Sequence, residues 1–440
     1  MNLSVFKSYD TRGVYPKDLN EEVAFKAGQA LVVHTGAKNI VVGRDMRLSS
    51  PELSQSLIKG IISQGANVYN IGLVPTEGIY FAVGNYGYDA AAMITASHNP
   101  KEYNGIKIVQ KENGIPRMVR GKDIKTLVEE DNFSEVEGGE VKELDIWPDY
   151  IDYLFSLIDI SGIKPLKIVI DAGNGMAGKV IPLIEERLPV EIIPLNFKLD
   201  GNFPAHPSNA LLKGASDQLI EEVKKQKADV GFIFDGDADR IYVIDDEGNQ
   251  ISGDMTLLLL AKYLLGKNPG EGIAYNLICS KSVPEFVKKW GGNPIKTPVG
   301  FVNVSEALLK NKGVIGGELS GHYSYRDYYY SDSGFFSFLI LLKLISESNK
   351  KVSEITKEFS IYAKSPELNF EVDDKEGIIA KFKEKYSDGE QEEMDGLTVE
   401  YKDWWFNIRP SNTEPLLRLT TEADNEKLLN EKIKELKSLI

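Results

Sequence analysis

Ile40-Val-Val-Gly-Arg-Asp-Met46 opens the pattern that decides the fold: a short β-branched run, an amphipathic stretch over 51–64, and a second short run, Ala66-Asn-Val-Tyr-Asn-Ile71. The same order returns in Lys167-Ile-Val-Ile-Asp-Ala-Gly-Asn-Gly175, a helical stretch over 178–188, and Val190-Glu-Ile-Ile-Pro194. A third copy runs through Gly272-Ile-Ala-Tyr-Asn-Leu-Ile-Cys-Ser280, the stretch 283–290, and Asn293-Pro-Ile-Lys-Thr297. Short strand-like runs alternating with helix-period segments mark βαβ units, because parallel strands need a long crossover between them. One long sheet would also satisfy this pattern. Each copy, however, lies in a stretch of domain size, so the sequence predicts three related α/β modules.

The last part of the chain differs in kind. Strand-like runs at 367–372, 396–401, 404–408 and 416–421, with helix-like stretches at 375–386 and 425–440, predict a small α+β domain with an antiparallel sheet. The acidic, glycine-containing stretch 129–143 is expected to close the first module as a solvated excursion, and Asp245-Asp-Glu-Gly-Asn249 to end the second as a turn. The boundaries expected are 1–147, 148–249, 250–362 and 363–440.

Composition narrows the function. The 440 residues hold 51 Lys and Arg against 66 Asp and Glu, a net charge of −15, which argues against nucleic-acid binding through phosphate contacts. An anionic substrate would require positive charge concentrated locally, so arginines inside motifs are informative. A single cysteine, Cys279, excludes an intrachain disulfide framework and fits a reducing compartment. The apolar stretches 257–265 and 335–345, interrupted by Lys262 and Lys343, are too short for a bilayer and read as buried helices. Residues 1–10 lack a signal-peptide core, so a cytoplasmic protein without membrane association is expected.

Asp235-Gly-Asp-Ala-Asp-Arg240 is the sharpest motif, set between the apolar runs 230–234 and 241–244. Three carboxylates at alternate positions of a tight loop repel one another unless a cation or water separates them, and hard divalent cations take oxygen ligands. A solvated acidic turn and an aspartyl nucleophile are alternatives. A calcium loop fails because Arg240 stands where its glycine belongs and strands flank the motif.

Thr95-Ala-Ser-His-Asn-Pro100 follows the apolar run 90–94 and sets Ser97 on a loop beside His98; a capped Asn-Pro turn is the plainer reading. Lys107 alternates with Ile106 and Ile108, and is either a surface lysine or, with a lowered pKa, a general base. In Gly316-Gly-Glu-Leu-Ser-Gly-His322, an extended backbone would place Glu318, Ser320 and His322 on one side, a set suited to sugar hydroxyls. Arg409-Pro-Ser-Asn-Thr-Glu-Pro415, with Arg418 beyond it, reads as a polar hairpin or a phosphate cradle. In Tyr9-Asp-Thr-Arg-Gly13, Arg12 binds an anion or pairs with Asp10. The aromatic run 325–330 is expected to pack at a domain edge.

Taken together and in this order, YDTRG, TASHNP, DGDADR, GELSGH and RPSNTEP resemble the α-D-phosphohexomutase superfamily, in its phosphomannomutase/phosphoglucomutase-like branch. The resemblance implies three related α/β domains with mixed sheets and a smaller carboxy-terminal α+β domain around a central cleft. It implies an Mg²⁺-dependent phosphohexomutase that interconverts hexose 1- and 6-phosphates of mannose or glucose through a phosphoserine and a hexose 1,6-bisphosphate. Phosphoglucosamine mutase and an Asp-nucleophile sugar phosphatase are the alternatives; Asn412, where the phosphoglucosamine branch usually has glycine, favours the first reading.

By position, Ser97 resembles the phosphoserine and a metal ligand, and Asp235, Asp237 and Asp239 the Mg²⁺ ligands. Lys107 and His322 resemble acid/base residues, with Arg12 and His98 near the reacting phosphate. Glu318, Ser320, Arg240, Lys296, Arg409, Ser411, Asn412, Thr413 and Arg418 are the expected substrate contacts. Hexose phosphates are the partners implied, and a monomer or homodimer the assembly.

Overall fold

The computed structural model describes residues 1–134, 136–411 and 416–440. All three repeats build mixed sheets. In the first, Asn39–Arg44 lies between Asn67–Leu73 and Ala90–Ile94, parallel to both, and Ala90–Ile94 pairs antiparallel with Tyr103–Glu112. In the second, Leu166–Asp171 lies between Val190–Leu195 and Val230–Phe234, and the chain turns back antiparallel into Ile241–Ile244. In the third, Gly272–Asn276 lies between Asn293–Thr297 and Ile315–Gly317, which turns back into Tyr323–Tyr325.

The repeat is therefore longer than the strand–helix–strand unit legible in the sequence. It closes with an antiparallel hairpin, and the strand order across the sheet is the same in all three copies. The loops of those hairpins carry Ser97, the three aspartates and Glu318–His322 respectively. Each leaves the carboxyl end of a central parallel strand, the end at which open α/β sheets gather ligands. Ala90–Ile94 and Val230–Phe234 are buried along their whole length, which is why they read as unbroken apolar runs.

One apolar cluster runs through all three modules. Its centre is two helices, Gly253–Lys267 and Gly334–Ser348, buried almost all round, as their apolar stretches foretell. Each Leu or Phe withdrawn from water there contributes about 1.5–3 kcal/mol, while the first module keeps a second cluster of its own on Val23, Leu31, Leu57 and Ile61. The carboxy-terminal part has a separate core built on Phe382, Leu397, Trp404, Phe406, Leu419 and Leu436. Its sheet is antiparallel throughout, with helices Lys375–Lys385 and Glu426–Lys437. Among the described residues no helix is long and apolar enough to cross a membrane.

One expectation needs correction. The excursion 129–143 ends in a strand, Val141–Glu143, that joins the first sheet parallel to Asn67–Leu73. Its side chains are exposed, so the strand carries no burial pattern for a sequence reading to detect. The aromatic run 325–330 packs at a domain edge, where it forms a seam between modules. The Tyr328 hydroxyl donates to the Glu77 carbonyl at 3.0 Å, and Tyr329 stacks on Tyr153 with centroids 5.4 Å apart.

Glu77 itself is fully buried at this seam, bonded by the Tyr150 hydroxyl. Burial pushes its carboxyl up from 4.5 to about 8. Between those values the folded protein holds a proton that the unfolded chain has lost, so stability falls as pH rises through that window. Glu77→Gln is expected to flatten this fall. Melting curves at pH 5 and pH 8.5 check it, with the variant gaining on wild type at the higher pH; an unchanged difference would remove Glu77 as the source.

Candidate active site

The chain leaves strand Ala90–Ile94 through a sharp turn in which Ser97 takes a left-handed backbone, φ 48°. Its N–H donates to Thr95 Oγ1 at 2.9 Å, and its buried hydroxyl donates to Asp235 Oδ2 at 2.8 Å. The Ser97 loop of the first module and the acidic loop of the second thus meet at hydrogen-bond distance. Gly236 makes this approach possible: a Cβ there would lie 2.8 Å from both Ser97 O and Ser208 Oγ.

Asp235, Asp237 and Asp239 are buried, with ligand oxygens within 4.8 Å of one another. Lys107 Nζ sits 3.1 Å from Asp237 Oδ2 and 2.6 Å from Asp239 Oδ2. It is buried, so the surface-lysine reading is set aside. Burial alone would pull its ammonium down, but Asp237 and Asp239 hold it above the ordinary lysine value. Burial, with Asp237 and Asp239 adding to it, drives the Asp235 carboxyl well up. Asp239, despite burial, is held well down by Lys107, His322 and Arg240.

Asp237 Oδ1 and Asp239 Oδ1 are buried without any hydrogen-bond partner. Orphaned carboxylate oxygens beside a hydroxyl are the donor set a hard divalent cation takes, so these residues fit Mg²⁺. Strands Val230–Phe234 and Ile241–Ile244 flank the loop, which excludes an EF-hand.

The third loop closes on the second. Arg240 and His322 form an isolated antiparallel bridge, and Arg240 Nε donates to His322 Nε2 at 3.1 Å. His322 Nε2 is 3.5 Å from Asp239 Oδ1, and the ring stacks on Phe301. Glu318 Oε1 accepts from Asn276 Nδ2 at 3.1 Å and from Gly300 N–H at 2.8 Å. Ser320 Oγ lies 3.4 Å from Glu318 Oε2 and 3.2 Å from His322 Nδ1. These three side chains do converge, but through a turn in which Gly321 N–H donates to Glu318 O, not through the extended backbone expected.

His98 is half-buried with Nδ1 3.4 Å from Ser97 Oγ, and burial, then Arg240 and Arg12, hold its imidazole well below the ordinary value. Arg12 pairs with Asp10 at 2.8 Å, as one of its two sequence readings has it, and also donates to Thr95 O at 3.2 Å.

The other candidates face the carboxy-terminal domain. Lys296 pairs with Glu392 there. Glu367 receives Arg409 Nη2 at 2.7 Å and Arg418 Nη1 at 3.3 Å. Ser411 N–H donates to Leu416 O at 2.8 Å, while Asn412 and Thr413 lie outside the described residues. Beside Tyr9 opens a cleft of about 580 Å³ whose lining includes Lys7, Arg120, Lys122 and Lys125, a local concentration of positive charge in an acidic protein.

Sequence reasoning missed Thr76, whose hydroxyl and backbone N–H both bind Asp237, and Thr95, which donates to Asp237 Oδ2 at 3.1 Å. Thr95 lay within a quoted motif; Thr76 carried no local signal. Arg47, one residue beyond the first quoted strand, was also missed.

Models of the phosphoglucomutase/phosphomannomutase α/β/α domains I, II and III match residues 3–135, 148–248 and 252–362, and that of the C-terminal domain matches 367–437. A phosphomannomutase of Methanocaldococcus jannaschii is 38% identical over all of this chain and 98% of its own length. One of Vibrio cholerae is 37% identical over 100% and 98%. A solved phosphoglucomutase/phosphomannomutase family protein of Burkholderia thailandensis superposes with a TM-score of 0.90 at 32% identity, covering 100% of this chain and 97% of that one. Four domains set around these loops define a phosphotransferase that acts as an isomerase, a phosphohexomutase. The chain belongs to the phosphoglucomutase/phosphomannomutase family.

Proposed function

We propose that this enzyme shifts a phosphoryl group between the 1- and 6-oxygens of a hexose phosphate, mannose or glucose, using Ser97 as the carrier. The observation that supports this most directly is the 2.8 Å contact of the Ser97 hydroxyl with Asp235 inside a buried acidic triad. Asp235, Asp237 and Asp239, with an oxygen on Ser97, would hold Mg²⁺, which when bound supplies charge stabilisation to the equatorial oxygens of the transferring group.

In the forward half-reaction the bond from phosphorus to Ser97 Oγ breaks as the bond to a sugar oxygen forms. The sugar hydroxyl's proton passes to a base. His322, beside Ser320 and Glu318, suits this role, whereas Lys107, kept charged by two carboxylates, suits proton donation in the same state. Glu318 and Ser320 hold sugar hydroxyls. Arg12 and Arg240 face the reacting phosphate, and Lys296, Arg409, Ser411, Asn412, Thr413 and Arg418 anchor the distant one. The bisphosphate then turns round and returns its other phosphoryl group to Ser97. Holding the two phosphates on different domains lets closure exclude water from a phosphoserine that would otherwise hydrolyse.

Intact-mass measurement of the purified chain, with coupled assays on mannose 1-phosphate, glucose 1-phosphate and glucosamine 1-phosphate, tests this. Expected are a population heavier by one phosphoryl group, mapped to Ser97, and Mg²⁺-dependent turnover of the mannose or glucose ester. Release of inorganic phosphate without any phosphoserine would overturn the reading in favour of an aspartyl phosphatase on Asp235.

A further inference from the structure

We propose that Arg47 is the positioning residue of the Ser97 loop, clamping four of its carbonyls around one guanidinium, with Ser208 completing the clamp from the second module. This rests on the reading of Ser97 as phosphoryl carrier. Arg47 Nη1 donates to Pro100 O at 2.8 Å and Tyr103 O at 3.0 Å. Nη2 donates to Ser97 O and Asn99 O, both at 2.7 Å. Nε faces Asp45 Oδ2 at 3.3 Å, and both side chains of that pair are fully buried.

Four carbonyl dipoles converging on one point repel each other unless a multidentate cation sits between them. The planar fork of arginine supplies enough fixed donors for this; lysine does not. The loop needs such a hold, because a left-handed backbone at a non-glycine residue persists only where the surroundings over-determine it. Ser97 is pinned at both ends of its peptide unit, its N–H by Thr95 and its carbonyl by Arg47.

The same carbonyl accepts from Ser208 Oγ at 3.2 Å, and Ser208 Oγ in turn accepts from Gly236 N–H at 3.0 Å. The nucleophile loop is thereby registered directly against the acidic loop. Phe203 lies 5.0 Å below the guanidinium, and a Cβ on Gly201 would come within 2.9 Å of Arg47 Cα. Arg47 therefore sets both the conformation of the Ser97 loop and its seating on the second module, while its own donors reach only backbone and Asp45.

The test is the full-length Arg47→Lys variant, with a melting curve, kcat, KM and inorganic phosphate released per turnover. A misplacement of about 1 Å costs on the order of 10²-fold, so kcat is expected to fall about 100-fold. KM should stay within about twofold, because the distant phosphate is anchored on another domain. Phosphate release per turnover should rise as the loop loosens. A folded variant with wild-type kcat overturns the proposal, as does a loss of kcat only in proportion to the fraction unfolded. If Arg47→Lys does not fold, Ser208→Ala decides: a smaller loss confined to kcat supports the clamp, and wild-type kcat refutes it. A wild-type protein that never carries phosphate on Ser97 would instead sink the carrier reading, and intact mass separates the two failures.

Discussion

Ser97→Ala is expected to lower mutase turnover by at least about 10⁴-fold, since the change deletes the atom that carries the phosphoryl group rather than weakening a contact. The fold should survive. Alanine meets the same left-handed strain as serine at φ 48°, and the lost bond is the one to Asp235 Oδ2. A hydrogen bond to a carboxylate is worth roughly 1.5–3 kcal/mol, so the melting temperature should move by only a few degrees. Intact mass should show no phosphoryl adduct, and sugar-phosphate binding should remain measurable by calorimetry. Turnover near the wild-type rate in a homogeneous preparation would strike Ser97 from the nucleophile role.

Asp235→Asn separates what the acidic loop does for stability from what it does for chemistry. Without metal, three carboxylates crowd a buried site, and burial together with Asp237 and Asp239 drives the Asp235 carboxyl up. An amide of the same shape still accepts from the Ser97 hydroxyl and removes one charge, so the metal-free variant should melt at or above the wild-type temperature. The response to Mg²⁺ should be lost. A ligand at 100 times its dissociation constant stabilises the folded state by about 2.7 kcal/mol, which is readily seen in a melt of the wild-type protein. Activity should fall by roughly 10³-fold, the scale of removing one preorganised charge-stabilising group. A variant whose melting temperature still rises with Mg²⁺ as wild type does would show that the cation sits elsewhere.

Much of the fold was legible locally. Buried parallel strands carry unbroken apolar runs, and the two central helices are apolar on every face, so 90–94, 230–234, 257–265 and 335–345 announced themselves. The shared hairpin that closes each repeat was not legible as a repeat, because its loops have diverged into three different chemistries. Val141–Glu143 was invisible because an exposed edge strand has no face to bury.

Lys107 shows the limit most clearly. Alternation with Ile106 and Ile108 rightly turned it away from the apolar face, yet the opposite face is covered by another module's aspartates and not by water. Arg47 and Thr76 were missed for a related reason: their partners lie 50 or more residues away in sequence.

By itself the sequence determined the three repeats, the antiparallel last domain and the chemical identity of each loop, since periodicity and residue type are local properties of the chain. Only the tertiary structure decided that the loops meet: that Ser97 reaches Asp235, that Lys107 is held charged, and that Arg240 reaches His322. The physical reason is that hydrogen bonds and charge interactions act over a few ångströms in space, and packing between modules sets those distances.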